Sequence, residues 1–232
     1  MTTNAQIPTL DGTSTFPAYL VKPSGTPRGA IIVIQEIFGV NPGIRKKCDD
    51  WAAQGYLAAA PDVFWRQKTG VDLNPDDPEE FQQGIAFMMK HDFDLGIRDV
   101  EAAIHWIRRE QGVAKVGLVG YCMGGRVAYL TATRTDIDAS VGYYGVGIDT
   151  MLNESRAIAK PLLLHVPTAD GFVPPPAQQA MHEGLDGNSH VTIFDYEGLD
   201  HGFADSFGAR RDEAGAKLAD ERTAAFFAAN VG

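Results

Sequence analysis

Short apolar runs, rich in β-branched residues and bounded by glycine or proline, recur along the chain. They are Ala30–Ile34, Leu57–Ala60, Val116–Val119, Ser140–Tyr144, Leu162–Val166 and Val191–Tyr196. A run that is apolar throughout is typical of a strand buried on both faces of a parallel sheet. The pattern therefore predicts six strands of a mainly parallel sheet.

Segments with helical periodicity lie between these runs. The clearest is Asp99–Glu110, in which one face carries Val100, Ala103, Ile104 and Ile107. Another helix is expected after Asp77-Pro78, a capping aspartate followed by proline at the first helical position. A last helix is expected over Glu213–Asn230. Alternating strands and helices predict crossover units.

The N-terminal segment has a different pattern. Two extended stretches, Ile7–Leu10 and Thr15–Val21, flank Asp11-Gly12, a turn pair that favours a hairpin. The whole chain therefore predicts an α/β fold: a mainly parallel central sheet, helices on both faces and an N-terminal antiparallel hairpin. No repeat or long linker divides it, so we expect a single domain over residues 1–232.

Composition narrows the function classes. Of 232 residues, 44% are hydrophobic and 22% charged, as in soluble globular proteins, and the net charge of −10 disfavours nucleic acid and anionic membranes as partners. The chain has no start typical of a secretory signal and no apolar run long enough to span a bilayer, so we expect a cytoplasmic protein, either a monomer or a weak homodimer. Two cysteines predict free thiols rather than a disulfide framework.

The segment Gly120-Tyr121-Cys122-Met123-Gly124 follows a predicted strand and precedes a helical segment. In such a sharp turn the middle residue is strained and exposed, and the flanking glycines relieve the crowding of strand against helix. The helix N-terminus would favour a thiolate at Cys122, and the Met123 N–H would supply half of an oxyanion hole. The alternative is a tight turn around a buried small residue.

A thiol nucleophile needs a base and an orienting acid, which in such folds follow in the order nucleophile, acid, histidine. Asp170 comes just after the run Leu162–Val166, and His201 comes just after Val191–Tyr196. Taken singly, the first reads as a turn residue and the second as a solvated loop residue. Their shared position beyond predicted strands favours a catalytic role.

The chain resembles the dienelactone hydrolase family, which is carboxymethylenebutenolidase-like, has the α/β-hydrolase fold and uses cysteine as nucleophile. The matching motifs are Gln35–Asn41, Gly55-Tyr56, Ala60–Asp62, Gly117–Cys122, Gly142–Gly147 and Asp170–Pro174. The resemblance implies that Cys122 is the nucleophile, that Asp170 and His201 are its partners, and that the amides of Ile37 and Met123 form the oxyanion hole.

The resemblance also implies that Glu36 accepts the thiol proton when substrate arrives. Because Glu36 follows the strand Ala30–Ile34, it should reach the same crevice, where desolvation would raise its proton affinity. A structural carboxylate paired with a cation is the alternative. Cys48 falls on the apolar side of a helix and is expected to be a core residue.

Two positions depart from the family pattern. Members that open dienelactones hold the substrate carboxylate with two arginines, and Phe81 and Asp205 stand in those places here. An aspartate would repel that carboxylate. We therefore expect neutral, fairly apolar esters or lactones in a pocket lined by aromatic side chains, those of Phe38, Trp65, Phe81, Tyr144, Phe172 and Phe203.

The sequence thus predicts a hydrolase of activated esters or lactones that works through an acyl-thioester and binds a small-molecule substrate. Alternatives are a site that also accepts other activated electrophiles such as phosphotriesters, a non-catalytic ligand-binding protein, and a redox role for an oxidisable Cys122. No spacing of His, Cys or acidic residues indicates a zinc site, and no cofactor is expected.

Overall fold

The computed structural model describes residues 3–232 and contains one eight-stranded sheet. The strands are β1 (Ala5–Pro8), β2 (Thr15–Val21), β3 (Ala30–Ile34), β4 (Leu57–Pro61), β5 (Val116–Tyr121), β6 (Ala139–Tyr143), β7 (Leu162–Pro167) and β8 (Val191–Tyr196). They are arranged in the order β1-β2-β4-β3-β5-β6-β7-β8. The pairs β1/β2 and β2/β4 are antiparallel, whereas every pair from β4 to β8 is parallel.

Six α-helices connect or follow the strands. They are α1 (Pro42–Ala53), α2 (Pro78–Met89), α3 (Phe93–Glu110), α4 (Met123–Arg134), α5 (Pro175–Leu185) and α6 (Glu213–Asn230), and a 3₁₀ helix covers Asp149–Ala157. The helix predicted after Asp77-Pro78 is confirmed, because the Asp77 carboxylate accepts hydrogen bonds from the first-turn amides of Glu79 and Glu80. Among residues 3–232, no helix combines the length and the apolar character that a bilayer crossing needs.

Two apolar layers cover the two faces of the sheet. Alternate residues of β3 divide between them, since Ile32 and Ile34 pack with α3, α4 and α5, whereas Ile31 and Val33 pack with α1 and α6. This arrangement explains why β3 to β7 are buried throughout. The predicted mainly parallel sheet with helices on both faces is therefore confirmed.

The N-terminal hairpin is present but its first strand differs from the prediction. It ends at Pro8 because Thr9 already belongs to the turn, where its hydroxyl donates to Asp11 over 2.6 Å. The same carboxylate accepts from the Thr13 amide over 3.1 Å. Gly12 has a φ of 68°, the conformation that favours glycine at this point.

His165 joins the sheet to the last helix. It lies in β7 with none of its surface exposed, and its ring nitrogens are 2.7 Å from the Tyr196 hydroxyl and 2.9 Å from the Thr223 hydroxyl. Burial, aided by the positive charge of Arg222, lowers the pKa of His165 to about 3. The imidazole is therefore neutral in the folded protein at neutral pH.

The parallel strands all end at the same edge of the sheet. Glu36 follows β3, Cys122 follows β5, Asp170 follows β7 and His201 follows β8. In open α/β sheets, ligands bind in the crevice beyond the carboxyl ends of the strands. The fold therefore brings together four side chains that lie as many as 165 positions apart in the sequence, from Glu36 to His201.

Candidate active site

Cys122 stands at the bend between β5 and α4 in a strained conformation. Its φ is 55° and its ψ is −115°, which a residue with a side chain seldom adopts. Gly120 and Gly124 make the bend sterically possible. A Cβ atom on Gly120 would lie 1.8 Å from the Gly124 carbonyl oxygen, and one on Gly124 would lie 2.6 Å from the Ile34 carbonyl oxygen. The bend presents the thiol at the crevice.

Two backbone amides near Cys122 belong to the residues expected to form an oxyanion hole. The first is that of Met123, the opening residue of α4, whose amide has no earlier turn of helix to bond. The second is that of Ile37, in the loop that follows β3 and lines the same cavity as Cys122. Such amides suit a developing negative charge, because they need no reorganisation when the charge appears.

Asp170 and His201 form a buried hydrogen-bonded pair. The Oδ2 atom of Asp170 lies 2.8 Å from Nδ1 of His201, and its Oδ1 atom accepts hydrogen bonds from the amides of Phe172 at 2.7 Å and Val173 at 3.2 Å. The Asp170 side chain is fully buried and that of His201 is 6% exposed. The Asp170 carboxylate is thus held by three hydrogen-bonding partners, and His201 lines the same cavity as Cys122.

The charge on His201 is determined by these two neighbours. Burial alone would lower the pKa of His201, but the negative charge of Cys122 and the hydrogen bonds to Asp170 and Cys122 raise it to about 10. An imidazolium therefore persists at neutral pH. A protonated imidazole near a cysteine favours the thiolate form that a cysteine nucleophile needs.

Glu36 and Asp205 face each other beside this pair. Both are buried, with 5% and 7% of their surface exposed, and their carboxyl groups are within hydrogen-bonding reach of each other. Desolvation, the charge of Asp205 and the charge of Cys122 raise the pKa of Glu36 well above its usual range. Desolvation also raises the pKa of Asp205.

Lys47 is a buried cation behind Asp205. Its Nζ atom donates to the Ala204 carbonyl oxygen over 2.9 Å and lies 4.1 Å from the centre of the Tyr121 ring. Burial lowers the pKa of Lys47, although the nearby carboxylates oppose that change. The lysine thereby fastens the loop after His201 to helix α1.

A cavity of about 110 Å³ opens above Cys122. Its walls are mostly apolar, and the residues that line it are Glu36, Ile37, Phe38, Pro75, Phe81, Ile85, Met88, Cys122, Val146, Phe172, His201, Gly202, Asp205 and Arg210. A larger cleft of about 650 Å³ lies between α1 and α6. That cleft lacks all four of the side chains gathered at the strand ends, so the smaller cavity is the candidate active site.

Three of the six aromatic residues expected at the pocket line this cavity: Phe38, Phe81 and Phe172. The other three require a correction. Trp65 lies elsewhere, since its indole donates to Asp99 over 2.8 Å and its ring stacks on Phe16 at 5.8 Å. The prediction failed because the indole N–H binds a buried carboxylate, and a sequence pattern does not show this pairing.

Tyr144 and Phe203 lie beneath the cavity instead of in its wall. The Tyr144 ring centre is 4.9 Å from that of His201 and 5.7 Å from that of Phe203, and both side chains are at most 1% exposed. Tyr144 packs against the imidazole of His201, and Phe203 packs against Tyr144. Tyr144 also has a φ of 39°, and its buried hydroxyl has no hydrogen-bond partner within residues 3–232.

Arg210 is a cavity residue that the sequence analysis missed. Its guanidinium lies 5.4 Å from the ring centre of Phe81 and 5.9 Å from that of Phe172, above the cavity entrance. The only sequence signal was an arginine nine positions after His201, in a segment without periodicity. Close contact of Gly202 with the Arg210 side chain brings it back to the site.

Within residues 3–232, no group of three or more His, Cys, Asp or Glu side chains is arranged to hold a metal ion. Cys48 has no exposed surface in α1, and burial raises its pKa well above the ordinary value. The nearby charge of Asp49 acts in the same direction.

The sheet order, the strained bend after β5 and the crossover helices define the α/β-hydrolase fold. The family model of the dienelactone hydrolases matches residues 16–231, and the chain belongs to that family. It is 42% identical over 232 residues to a protein of Azospirillum brasilense that is provisionally named a carboxymethylenebutenolidase, covering 99% of this chain and 100% of the relative.

A second relative is the carboxymethylenebutenolidase of Pseudomonas putida, which is 37% identical over 229 residues, covering 98% of this chain and 97% of the relative. Among solved structures, a provisionally named dienelactone hydrolase from Klebsiella pneumoniae has a TM-score of 0.81 and 28% identity, covering 97% of this chain and 99% of that one. The chain is accordingly a hydrolase that acts on ester or lactone bonds.

Proposed function

We propose that this protein hydrolyses activated, neutral and fairly apolar esters or lactones, with Cys122 as nucleophile and with an acyl-thioester intermediate. The observation that carries the proposal is the strained bend that presents Cys122 in the same cavity as His201, whose Nδ1 atom lies 2.8 Å from the buried carboxylate of Asp170. A histidine held by a buried carboxylate on one side and a thiol on the other is suited to proton transfer during acyl transfer.

In the first half of the proposed reaction, the Cys122 thiolate attacks the substrate carbonyl carbon and forms a C–S bond. The carbonyl oxygen becomes negative and accepts hydrogen bonds from the amides of Ile37 and Met123. The C–O bond then breaks, and the His201 imidazolium gives its proton to the departing oxygen. This leaves an acyl-thioester and a neutral imidazole.

In the second half, His201 takes a proton from water as the water oxygen attacks the thioester carbon. The tetrahedral intermediate breaks its C–S bond and releases the carboxylic acid. The thiolate and the imidazolium are thereby restored. Because a thiolate is itself a good leaving group, substrates with activated leaving groups such as aryl or enol esters should react fastest.

The walls of the cavity support the neutral, apolar class of substrate. Phe38 and Phe81 lie 5.8 Å apart and present aromatic surface to the bound acyl group. The buried carboxyl groups of Glu36 and Asp205 disfavour a second negative charge at the same depth. Arg210 lies exposed at the entrance, where solvent weakens its attraction for an anion without abolishing it.

The proposal is tested by intact mass spectrometry after rapid mixing with a neutral aryl ester. We expect an acyl adduct on the parent and on Cys48→Ala, which alters the other, fully buried cysteine, and none on Cys122→Ala. An adduct on Cys122→Ala would refute the assignment of the nucleophile. Turnover without any adduct on the parent, under conditions that trap thioesters, would refute the intermediate.

The same measurement addresses the other interpretations. An aryl phosphotriester would leave a heavier adduct on Cys122 if the site accepts phosphorus electrophiles. Oxidation of Cys122 by peroxide, without any reaction with esters, would favour a redox role. A ligand-binding protein without catalysis would show neither an adduct nor turnover.

A further inference from the structure

Two buried carboxyl groups share the wall of the candidate active site, and this arrangement has consequences beyond the proposed triad. Glu36 follows β3, whereas Asp205 lies on the loop that follows His201. The two side chains are within hydrogen-bonding reach of each other, and both line the cavity beside Cys122. Since both are more than nine-tenths buried, water does little to separate their charges.

Two ionised carboxylates in contact repel each other strongly, so a buried pair of this kind keeps one proton between them. The groups facing the pair determine which partner holds the proton. Lys47, His201 and Arg210 stabilise negative charge on Asp205. Glu36 receives such help from His201 and is opposed by the negative charge of Cys122.

The Tyr144 ring also faces this group. Its buried hydroxyl is close enough to be influenced by the charges of Glu36 and Asp205 and has no hydrogen-bond partner within residues 3–232. It adds a dipole but no formal charge. The cations are thus gathered around Asp205, which leaves the proton on Glu36.

We propose that Glu36 and Asp205 form a carboxyl pair that shares one proton, in which Asp205 keeps Glu36 protonated and thereby limits the negative charge beside Cys122 to one. Asp205 acts through Glu36 and is a positioning residue. The role of the pair in catalysis rests on the proposed function of Cys122. The existence of the carboxyl pair is independent of that proposed function.

This assignment changes the role expected for Glu36. A carboxyl group that already holds a proton does not accept another from Cys122, so the proton of the thiol goes to His201. Glu36 directly precedes Ile37, whose amide is proposed to bind the developing oxyanion. Loss of the shared proton to solvent would place a second negative charge beside that oxyanion and slow the reaction.

The kinetic test is the dependence of kcat/KM on alkaline pH for a neutral aryl ester. The parent should lose roughly tenfold or more in kcat/KM as the pair gives up its shared proton. Glu36→Gln and Asp205→Asn each leave a single ionisable carboxyl, so both should lose this step and decline only at the higher pH where His201 itself deprotonates. Asp205→Glu, which retains the carboxyl, should restore the parental step.

The matched control is Glu197→Gln, which removes an exposed carboxyl four positions before His201 and should leave the profile unchanged. Equal alkaline midpoints for the parent, Glu36→Gln and Asp205→Asn would overturn the proposal. Circular dichroism of each variant establishes that it is folded before its profile is compared.

A second readout does not depend on catalysis. At a pH of about 8, the infrared spectrum of the parent should contain the carbonyl stretch of a protonated carboxylic acid, because ordinary carboxyls are ionised there. This pH also ionises Asp62, whose pKa is raised by burial to about 6. The band should be absent in Glu36→Gln and retained in Cys122→Ala.

The two proposals can fail separately. A parental infrared band without any acyl adduct would refute the function of Cys122 and leave the carboxyl pair standing. An acyl adduct in a protein without the band would refute the carboxyl pair and leave the nucleophile standing.

Discussion

Replacing Asp170 by Asn tests whether the buried carboxylate activates His201. Asparagine preserves the shape of the side chain, and its carbonyl oxygen can still accept from the amides of Phe172 and Val173, which now lie 2.7 and 3.2 Å from Asp170. Its amide nitrogen would then face Nδ1 of His201, which in the parent protein lies 2.8 Å from a carboxylate oxygen. Two donors would meet, and the imidazolium would lose its counter-charge.

The size of the effect follows from burial. Both partners are more than nine-tenths buried, and breaking a buried ion pair by removing one partner costs about 3–5 kcal/mol. At about 1.4 kcal/mol per factor of ten, we expect kcat/KM for a neutral aryl ester to fall by roughly 10²–10³-fold or slightly more. Alkylation of Cys122 by iodoacetamide at neutral pH should slow in parallel, because less imidazolium supports the thiolate.

The surface offers a matched control. His182 lies 3.1 Å from Asp186 and 3.2 Å from Asp195, in a histidine–aspartate cluster where the Asp186 side chain is 60% exposed. Asp186→Asn should leave both kcat/KM and the alkylation rate within about twofold of the parent, as is usual for exposed pairs. If Asp170→Asn behaved like Asp186→Asn, the assignment of Asp170 as the orienting acid would be refuted.

Three further predictions concern the bend, the entrance and the sheet. Gly120→Ala should lower the free energy of unfolding by about 1–3 kcal/mol or more in denaturant titrations, because its Cβ would lie 1.8 Å from a backbone oxygen. The control is Gly187→Ala, which should be near neutral because no atom lies within 4 Å of the added Cβ. Arg210→Gln should raise KM several-fold for an ester bearing a carboxylate and leave KM for its neutral analogue unchanged; equal changes in both would contradict an electrostatic role at the entrance. The pKa of His165 is about 3 in the folded protein against an ordinary 6.5, so on acidification the unfolded chain takes up this proton before the folded protein does. The free energy of unfolding should therefore fall below pH 6.5 by up to about 1.4 kcal/mol per pH unit. The His165→Gln variant should lack this contribution to the slope.

Periodicity predicted most of the sheet, because strands buried on both faces, such as β3 to β7, must be apolar throughout. The expected burial of the last strand was wrong, since β8 lies at the edge of the sheet and Tyr196 is its one buried residue. The runs Ala30–Ile34 and Val191–Tyr196 match β3 and β8 residue for residue. Helix α3 begins at Phe93, six positions before the predicted start. Its first turn is capped by Asp92, and it contains Gly96, which weakens the helical signal there.

The side chains beyond the strand ends were predictable for a related reason. Residues just beyond the ends of parallel strands lie near the common edge of the sheet. Cys122, one residue after β5, Asp170, three after β7, and His201, five after β8, could therefore be expected to lie together. Arg210 could not be located in the same way. Its place depends on the path of an irregular loop, which no short-range pattern determines.

The correction at Trp65 has a different origin. Aromatic residues are large and apolar in any sequence scan, but the indole N–H of a buried tryptophan requires an acceptor. In this protein the carboxylate of Asp99 satisfies it, and Arg66 makes a bidentate contact with the same group at 2.7 and 3.0 Å. Such a partnership joins distant segments and becomes visible only in three dimensions.

The buried amine of Lys47 holds the backbone of the loop that begins at His201, while the side chains of that loop line the cavity. By donating to the Ala204 carbonyl oxygen, it fixes the path of the main chain, and its charge also stabilises the neighbouring Asp205. Asp205 and Arg210 can consequently be exchanged for other residues while the imidazole keeps its position. Substitutions at those two positions can therefore change which substrates the cavity accepts while the backbone of the loop stays in place.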